Sequence, residues 1–221
     1  MMQSELKKRS ITSFFLILLL FLMYQYSYIL IISMIVIAII SWIEFYALIS
    51  KIFIRENFSQ KLLRFLLKAI SLLYLSFIVY LILIIVTENG DLKVYLFYSI
   101  LVGIASDLGG LIVGKIFKGK KLTNISPNKT ISGSVGSLIF SLLLVPLFVK
   151  YFYLYGLPTL IMITILISLT TQVGDLLISL LKRKANVKNT SDILPGHGGM
   201  LDRIDGIIFA IPIGLLLFYL I

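Results

Sequence analysis

The sequence predicts an all-α, polytopic integral membrane protein with about seven transmembrane helices. Apolar residues make up 59% of its 221 residues, and the mean hydropathy is +1.06. Charged residues make up 14%, whereas a soluble globular domain contains about a quarter. Uncharged stretches long enough to cross a bilayer, about 20 residues each, recur along the chain. These observations exclude a soluble globular domain and a disordered chain.

The uncharged stretches define the predicted spans. Residues 10–43 carry no charge, and their length suits a helical hairpin that turns near Tyr24–Tyr28. The first span is expected to be retained and not cleaved as a signal peptide, because no small-residue cleavage site follows it. The other predicted spans are Ala69–Val86, Val94–Gly114, Ile131–Val149, Leu157–Leu181 and Gly206–Ile221.

The basic residues predict the orientation. With the N-terminus in the cytoplasm, all but two of the 20 basic residues fall in cytoplasmic segments, the exceptions being Lys93 and Lys150. This asymmetry follows the positive-inside rule and predicts a cytoplasmic N-terminus and a C-terminus outside. It also explains the net charge of +10 without a nucleic-acid partner. The lack of cysteine excludes a disulfide scaffold, a thiolate zinc site and a Cys nucleophile.

Three acidic residues lie inside predicted spans, where an ionisable side chain costs roughly 2.5–3.5 kcal/mol and needs a reason. They are Glu44, Asp107 and Asp175, and each precedes a basic residue at the cytoplasmic end of its span by seven or eight positions. At about 1.5 Å per residue, each acid lies roughly 10–12 Å inside that end. A transporter more often has its polar groups near the midplane. The shared depth indicates a site that faces the cytoplasm at headgroup level.

The sixth predicted span carries a polar stripe. Ser168, Gln172, Asp175, Ser179 and Lys182 are spaced by three and four residues and therefore share one helix face. Such a stripe faces protein or a wet cavity. For Ser168 and Gln172, polar packing between helices is the favoured interpretation. Packing does not need a charge, so Asp175 is interpreted as a functional residue.

A glycine-rich turn, PGHGG at residues 195–199, precedes the last span. Its glycines allow backbone N–H groups to approach an anion closely. Asp202 and Asp205 follow on one helix face and, with a third carboxylate, would hold Mg²⁺ and leave room for phosphate oxygens. The alternative is that these acids favour the helix dipole. Nearby basic residues are either phosphate clamps or a result of the positive-inside rule.

The loop after the fourth predicted span ends in Ser, Thr and Gly residues that open the fifth. Such a helix N-terminus binds anions, and Lys129 lies just before it. The alternative is a flexible loop with a helix cap at Thr130 or Ser132. No Walker loop is present. Acids for a metal, cations for phosphates and a glycine turn at headgroup depth together predict phosphoryl or nucleotidyl transfer on a lipid.

Residues 179–205 resemble the signature of the phosphatidate cytidylyltransferase (CDP-diacylglycerol synthase) family, S-x-x-K-R-x4-K-D-x-[GSA]-x2-[LIF]-[PG]-x-H-G-G-x-x-D-R-x-D. The match is broken at Asn189, where the signature has Asp. The stretches Q-x-G-D at 172–175, S-D-L-G at 106–109 and S-P-N-K-T at 126–130 also resemble the family, although Ile131 and Ser132 replace its usual Trp and Glu. The resemblance covers about residues 100–212.

The resemblance implies an integral membrane enzyme that condenses CTP with phosphatidic acid to give CDP-diacylglycerol and pyrophosphate. The implied cofactor is Mg²⁺, with a second cation left open, and the implied assembly is a homodimer. The implied metal ligands are Asp175, Asp202 and Asp107. The implied catalytic residues are Asp175, Asp202, Asp205, Lys182 and Arg183. The implied substrate-binding residues are Ser126, Lys129, Thr130, Ser179, Lys188, His197, Gly198, Gly199 and Arg203.

The chain accordingly divides into variable N-terminal helices, residues 1–93, and a catalytic part, residues 94–221, with cytoplasmic loops at 115–130 and 182–205. Glu44 falls outside the catalytic part and is expected to matter little for activity. The expected location is the bacterial inner membrane, with the active site on the cytoplasmic side. Two other functions stay open, a CTP-dependent kinase of a polyprenol-type lipid and a non-enzymatic transporter. CDP-alcohol phosphotransferases are excluded because their DGxxAR motif is missing.

Overall fold

The computed structural model describes residues 2–53, 57–88, 92–123, 126, 129–196 and 198–220. In this part of the chain the extended structure consists of isolated β-bridges, and the remaining regular structure is helical. The α-helices are α1 (Met2–Gln25), α2 (Ser27–Ile52), α3 (Phe58–Glu88), α4 (Lys93–Phe117), α5 (Ile131–Leu142), α6 (Val145–Phe148), α7 (Leu157–Lys184), α8 (Leu201–Ile204) and α9 (Ile207–Leu220).

The predicted all-α membrane class is confirmed. Among the described residues, five helical segments are long and apolar enough to cross a membrane: α2, α3, α4, the α5–α6 segment and α7. Two shorter apolar helices, Ser10–Gln25 and Ile207–Leu220, correspond to the first and last predicted spans. The chain is therefore a multi-pass membrane protein, while the count of seven spans and the orientation of its termini stay predictions.

Helix breaks occur at one position that the apolar pattern predicts and at one that it does not. The hairpin predicted to turn near Tyr24–Tyr28 breaks at Tyr26, whose backbone is extended (φ −120°, ψ 112°). The fifth predicted span, Ile131–Val149, is interrupted by a turn at Leu143 and Leu144. Pro146 follows that turn in the first positions of α6, where its missing N–H costs no helical hydrogen bond.

Residue contacts divide the chain into two compact units. Unit 1 comprises Met1–Lys93 and Leu181–Ile204, and unit 2 comprises Val94–Leu180 and Asp205–Ile221. These units follow packing and not chemistry, so the predicted division between residues 93 and 94 into variable and catalytic parts stays a prediction.

In unit 1, helices α2 and α3 pack against each other through polar contacts at their shared end. Trp42 Nε1 donates to the backbone oxygen of Lys68 at 3.3 Å. Lys68 Nζ donates to Ser50 Oγ at 2.6 Å and lies 3.3 Å from the centroid of the Tyr46 ring. Helix α3 begins at Phe58 and therefore extends through the basic stretch that bounded the predicted span Ala69–Val86. Contacts with α2 satisfy the ammonium group of Lys68 within this stretch.

Unit 2 has an aromatic core. Phe218 on α9 stacks on Tyr95 and Phe152 with ring centroids 4.7 and 4.9 Å apart. The buried Tyr98 hydroxyl shares a 2.6 Å hydrogen bond with Thr164 Oγ1 on α7. Large rings bury much apolar area, and the hydroxyl partner removes the cost of a buried polar end. This core holds α4, α7 and α9 together.

Helices α4 and α5 approach closely at glycines. A Cβ added to Gly109 would collide with the backbone oxygen of Gly136 and with the Phe140 side chain. Small residues allow such backbone approach in membranes, where packing and not water exclusion drives helix association. The contact fixes the start of α5, which carries a predicted phosphate-binding segment, against α4.

Candidate active site

The signature segment leaves α7 through a left-handed residue, Asn186 (φ 54°), and Val187 N donates to Lys182 O at 3.0 Å to close the helix end. It then forms a small hairpin in which Leu194 and Gly198 exchange backbone hydrogen bonds of 2.8 and 3.1 Å. Gly198 has φ +84°, a value that an L side chain rarely adopts. The hairpin delivers the chain to α8, where Asp202 lies.

Asp202 is held by three residues of the segment. Its Oδ1 accepts a 2.8 Å hydrogen bond from Lys182 Nζ in a salt bridge whose side chains are 14% and 5% exposed. Its Oδ2 accepts from the backbone N–H groups of Thr190 at 2.8 Å and Gly199 at 3.0 Å. The Thr190 hydroxyl lies 3.1 Å from the same oxygen. Lys182 and Gly199, which the sequence assigned to the reaction site, therefore also fix this carboxylate.

These contacts decide the charge state of Asp202. Burial alone would raise the pKa of its carboxyl, but the Lys182 ammonium and the N–H groups of Thr190 and Gly199 outweigh burial and lower the pKa below the ordinary 3.8. Hydrogen bonds to the charged form favour that form. Asp202 is thus an anion at neutral pH, as a metal-binding or phosphate-orienting role requires.

Glu44 on α2 is bound by the same segment, which no sequence motif predicted. It is 2% exposed, and its Oε1 accepts from Ser191 Oγ at 2.6 Å and from Met200 N at 2.9 Å. Its Oε2 accepts from Thr190 Oγ1 at 2.7 Å and from Leu201 N at 2.8 Å. All four donors come from residues 190–201, so Glu44 contacts the signature segment directly. The expectation that Glu44 matters little for activity stays a prediction.

The other predicted residues of unit 1 differ in exposure. Gly198 and Gly199 are buried, whereas the basic side chains of Arg183, Lys188 and Arg203 are exposed. His197 lies outside the described residues. The exposed cations suit flexible phosphate contacts, and the buried glycines suit close backbone packing.

In unit 2, an isolated bridge pairs Lys121 with Thr130 just before α5. Thr130 caps α5, because its Oγ1 accepts from Gly133 N at 3.0 Å. The predicted cap at this position is confirmed. Ser126 O accepts from Lys129 N at 3.0 Å, so these two predicted phosphate-binding residues are in direct contact.

Asp175 lies on α7 and pairs with this loop. Its Oδ2 forms a salt bridge with Lys129 Nζ, and the two side chains are 28% and 24% exposed. Its Oδ1 accepts a long 3.3 Å hydrogen bond from Ser179 Oγ. The structure therefore brings together Lys129, Asp175 and Ser179, three residues that the sequence assigned to one site.

The two remaining predicted acids also lie in unit 2. Asp205 is 6% exposed, and its Oδ1 accepts from Gly206 N at 3.0 Å. Asp107 lies half-buried on α4. Of the polar stripe, Ser168 shares a hydrogen bond with Ser106 and Gln172 accepts from Ser134, as the packing interpretation predicts.

The sequence is also similar to that of known proteins. The sequence model described as the Cytidylyltransferase family matches residues 1–221 of this chain. The chain belongs to the Cytidylyltransferase family. The family predicted from the signature is thereby confirmed.

Two curated relatives of the family, both named phosphatidate cytidylyltransferase, show the extent of the similarity. The protein of Bacillus subtilis (strain 168) is 40% identical over 126 residues, which cover 53% of this chain and 45% of the relative. The protein of Staphylococcus haemolyticus (strain JCSC1435) is 43% identical over 122 residues, which cover 54% of this chain and 46% of the relative. The chain spans about half the length of the curated relatives it matches.

The carboxylates of this cytidylyltransferase-family chain can be tested for their fit to Mg²⁺. A carboxylate oxygen offers about two lone pairs. Among the described residues, Asp175 Oδ1 and Oδ2 each receive one donor, and Asp202 Oδ1 receives Lys182 Nζ. Asp202 Oδ2 is occupied by Thr190 and Gly199. Asp202 Oδ1 and both oxygens of Asp175 therefore retain capacity for a cation. Mg²⁺ usually takes one or two carboxylates together with substrate phosphates and water.

Protein side chains alone do not form a complete Mg²⁺ coordination site in the described part of either unit. Within either unit, the described residues include no group of three or more acidic or histidine side chains that could hold a metal ion. The donor set accordingly suits a cation that arrives with, or is completed by, phosphate oxygens. The assignment of Asp175, Asp202 and Asp107 as metal ligands stays a prediction.

Sequence reasoning missed three residues that organise the signature segment: Glu44, Thr190 and Ser191. Thr190 and Ser191 fall at or beside loosely specified positions of the signature, so no motif marks them. Glu44 gave one usable signal, because an acid in an apolar helix needs donors. The neighbouring donors Ser41 and Trp42 bind backbone oxygens instead. Its donors lie about 150 residues further along the chain, beyond the reach of local patterns.

Proposed function

We propose that this protein transfers the cytidylyl group of CTP to phosphatidic acid, forming CDP-diacylglycerol and pyrophosphate. The observation that carries the proposal is the family membership over the whole chain, joined to relatives named phosphatidate cytidylyltransferase at 40–43% identity. The paired acids and lysines of both units support it, because nucleotidyl transfer needs cations for phosphates beside carboxylates for a metal.

The proposed reaction needs little covalent help from the protein. A phosphate oxygen of phosphatidic acid attacks the α-phosphorus of CTP, the bond from that phosphorus to the bridging oxygen breaks, and pyrophosphate leaves with the electron pair. The attacking phosphate is already anionic at neutral pH, so no strong general base is required. His197 is accordingly proposed as a donor that positions phosphate and not as the base.

The chain's residues would bind and orient the two anionic substrates. Lys129 and Lys182 each hold an ammonium group beside a carboxylate, and either group can turn to a phosphate oxygen as a point charge. Asp175 in unit 2 and Asp202 in unit 1 are each proposed as a carboxylate ligand for Mg²⁺, which when bound supplies Lewis-acid stabilisation of phosphate charge. The exposed cations and the phosphate-cradle residues would complete the contacts: Arg183, Lys188, Arg203, Ser126, Thr130, Ser179, Gly198 and Gly199.

The test is turnover by the purified full chain in detergent with radiolabelled CTP, Mg²⁺ and phosphatidic acid. Formation of labelled CDP-diacylglycerol with equimolar pyrophosphate, lost on chelation with EDTA and restored by Mg²⁺, is the expected result. CDP release with a polyprenol and no product with phosphatidic acid would replace the proposal with a CTP-dependent lipid kinase. A folded, Mg²⁺-supplied sample that is silent with both lipids would overturn it.

We further propose the setting of this reaction: the bacterial inner membrane, a cytoplasmic N-terminus, a cytoplasmic site and a homodimer. The basic asymmetry of the loops supports the orientation. An epitope tag at the N-terminus should be protected from protease in right-side-out vesicles and cleaved in inverted ones. Cleavage in right-side-out vesicles would reverse the orientation. Cross-linking in native membranes tests the dimer.

A further inference from the structure

Glu44 is an acid in an unusual setting. It lies in the apolar helix α2 with 2% of its surface exposed, where a carboxylate needs strong compensation. The structure gives it four donors within 2.6–2.9 Å, two on each oxygen. A carboxylate has about four lone-pair sites, so this one is filled by the protein. Glu44 therefore has no capacity left for a metal ion or a substrate donor.

The donors show what Glu44 does for the fold. Two are the backbone N–H groups of Met200 and Leu201, which stand at the start of α8 and have no acceptor within that helix. The other two are the hydroxyl groups of Ser191 and Thr190, at the beginning of the same loop. One side chain of α2 thus binds both ends of the glycine-rich segment that precedes Asp202.

Thr190 links Glu44 to Asp202. Its hydroxyl lies 2.7 Å from Glu44 Oε2 and 3.1 Å from Asp202 Oδ2, and its backbone N–H donates to the same Asp202 oxygen at 2.8 Å. A hydroxyl has one proton to donate. The shorter contact assigns that proton mainly to Glu44, so the position of Thr190, and with it the Asp202 carboxylate, depends on Glu44.

We propose that Glu44 is a positioning residue for the reaction, which anchors residues 190–201 to helix α2 and through Thr190 sets the carboxylate of Asp202. The effect on turnover rests on the proposed function, whereas the anchoring does not. A helix assigned by sequence to the variable N-terminal part thereby contributes to the geometry of the signature segment.

The direct test replaces Glu44 by glutamine. Glu44→Gln keeps the size of the side chain but offers one acceptor oxygen to four donors and turns an N–H₂ group toward them. Residues that orient metal ligands typically contribute about 10–100-fold to activity, and we expect kcat to fall in that range. Because Glu44 contacts no substrate, KM for CTP should change by less than about threefold.

The second readout does not depend on turnover. Amide hydrogen exchange of peptides covering residues 198–204 should accelerate by about tenfold or more in Glu44→Gln. Without the hydrogen bonds to the carboxylate, local opening of this segment costs less free energy. The matched control is Ser41→Ala, which removes a buried hydroxyl from the same helix that bonds within the helix to Ile37 O at 2.7 Å. We expect this control to leave both kcat and the exchange rates unchanged.

Thr190 provides milder variants should Glu44→Gln fail to fold. Thr190→Ser keeps the hydroxyl and should retain wild-type kcat and exchange, whereas Thr190→Val should lower kcat and speed exchange. The double variant Glu44→Gln/Thr190→Val should lose less kcat than the product of the single losses, because both act on one network.

The outcomes separate the anchor from the reaction. Wild-type kcat and wild-type exchange in Glu44→Gln, or in Thr190→Val where the former cannot be purified, would overturn the inference. A wild-type chain without cytidylyl transfer, whose exchange is nonetheless accelerated by Glu44→Gln, would support the anchor and overturn the proposed function. Equal loss of kcat in Thr190→Ser and Thr190→Val would show that the hydroxyl link is irrelevant and would overturn the coupling.

Discussion

Glu44 in unit 1 and Asp175 in unit 2 are acids of similar sequence context that serve different ends. Both lie on apolar helices at the same distance from a basic helix end. Glu44 accepts four short hydrogen bonds, whereas Asp175 accepts one lysine and one long hydrogen bond from a serine. A filled carboxylate stabilises its surroundings, and one with spare lone pairs is available to a ligand. The position of an acid along an apolar helix therefore indicates that it has a role, but does not distinguish a structural role from ligand binding.

The largest effect is expected from Asp175→Asn, which removes the charge of the unfilled acid. Turnover with CTP and phosphatidic acid should fall by about 10²–10³-fold, the range for losing one strong electrostatic contact in a reacting site. The melting temperature in detergent should change little, because Asp175 is partly exposed and its contacts are few. The exposed Asp192→Asn is the control, and near-wild-type turnover in Asp175→Asn would remove this acid from the site.

The two lysine–carboxylate pairs should differ in stability. Lys182→Met strands the nearly buried Asp202 and should lower the free energy of unfolding by about 3 kcal/mol, the scale for breaking a buried pair. Lys129→Met breaks a more exposed pair and should cost about 1 kcal/mol or less. Reversible unfolding in mixed micelles measures both. Equal losses would show that the two pairs do not differ as their burial indicates.

A methyl group at Gly199 should disturb the hydrogen bonds that join Glu44, Thr190 and Asp202. A Cβ there would collide with the Thr190 hydroxyl and lie 2.5 Å from Glu44 Oε2, and overpacking of this kind costs about 1–3 kcal/mol. Gly103→Ala in unit 2 is the matched control, because its Cβ would meet Cγ1 of Ile207 at the longer distance of 3.1 Å. Thermal unfolding in detergent compares the variants, and an undisturbed Gly199→Ala would argue against a tightly packed network.

The smallest effect is expected from Ser168→Ala. It removes a neutral hydrogen bond of 3.0 Å to Ser106, and such contacts between membrane helices average about 0.6 kcal/mol. Turnover should stay at the wild-type level. A loss as large as that of Lys182→Met would mean that the polar stripe of α7 does more than pack.

Site contacts that motifs and helix spacing mark were predicted from the sequence, whereas the contacts of Glu44 with a distant loop were not. Lys129, Asp175 and Ser179 were assigned to one site from motif and helix spacing, and the structure brings them together. The capping role of Thr130 was also readable, because Ser and Thr at a helix start accept the first free N–H groups. The partners of Glu44 were not readable, since a carboxylate in a helix carries no mark of which distant loop will donate to it.

The apolar pattern and the signature by themselves determined the membrane class, the main helices and the family. Each is a local property, since a bilayer selects apolar helices by length and a motif lies within one continuous segment. The tertiary structure alone decided which acids are filled and which keep spare lone pairs. That distinction depends on donors brought together from Thr190 to Leu201 around Glu44, and on a lysine brought to Asp175 from another loop. A buried charge is stable only where such donors converge, and convergence is fixed by packing and not by sequence spacing.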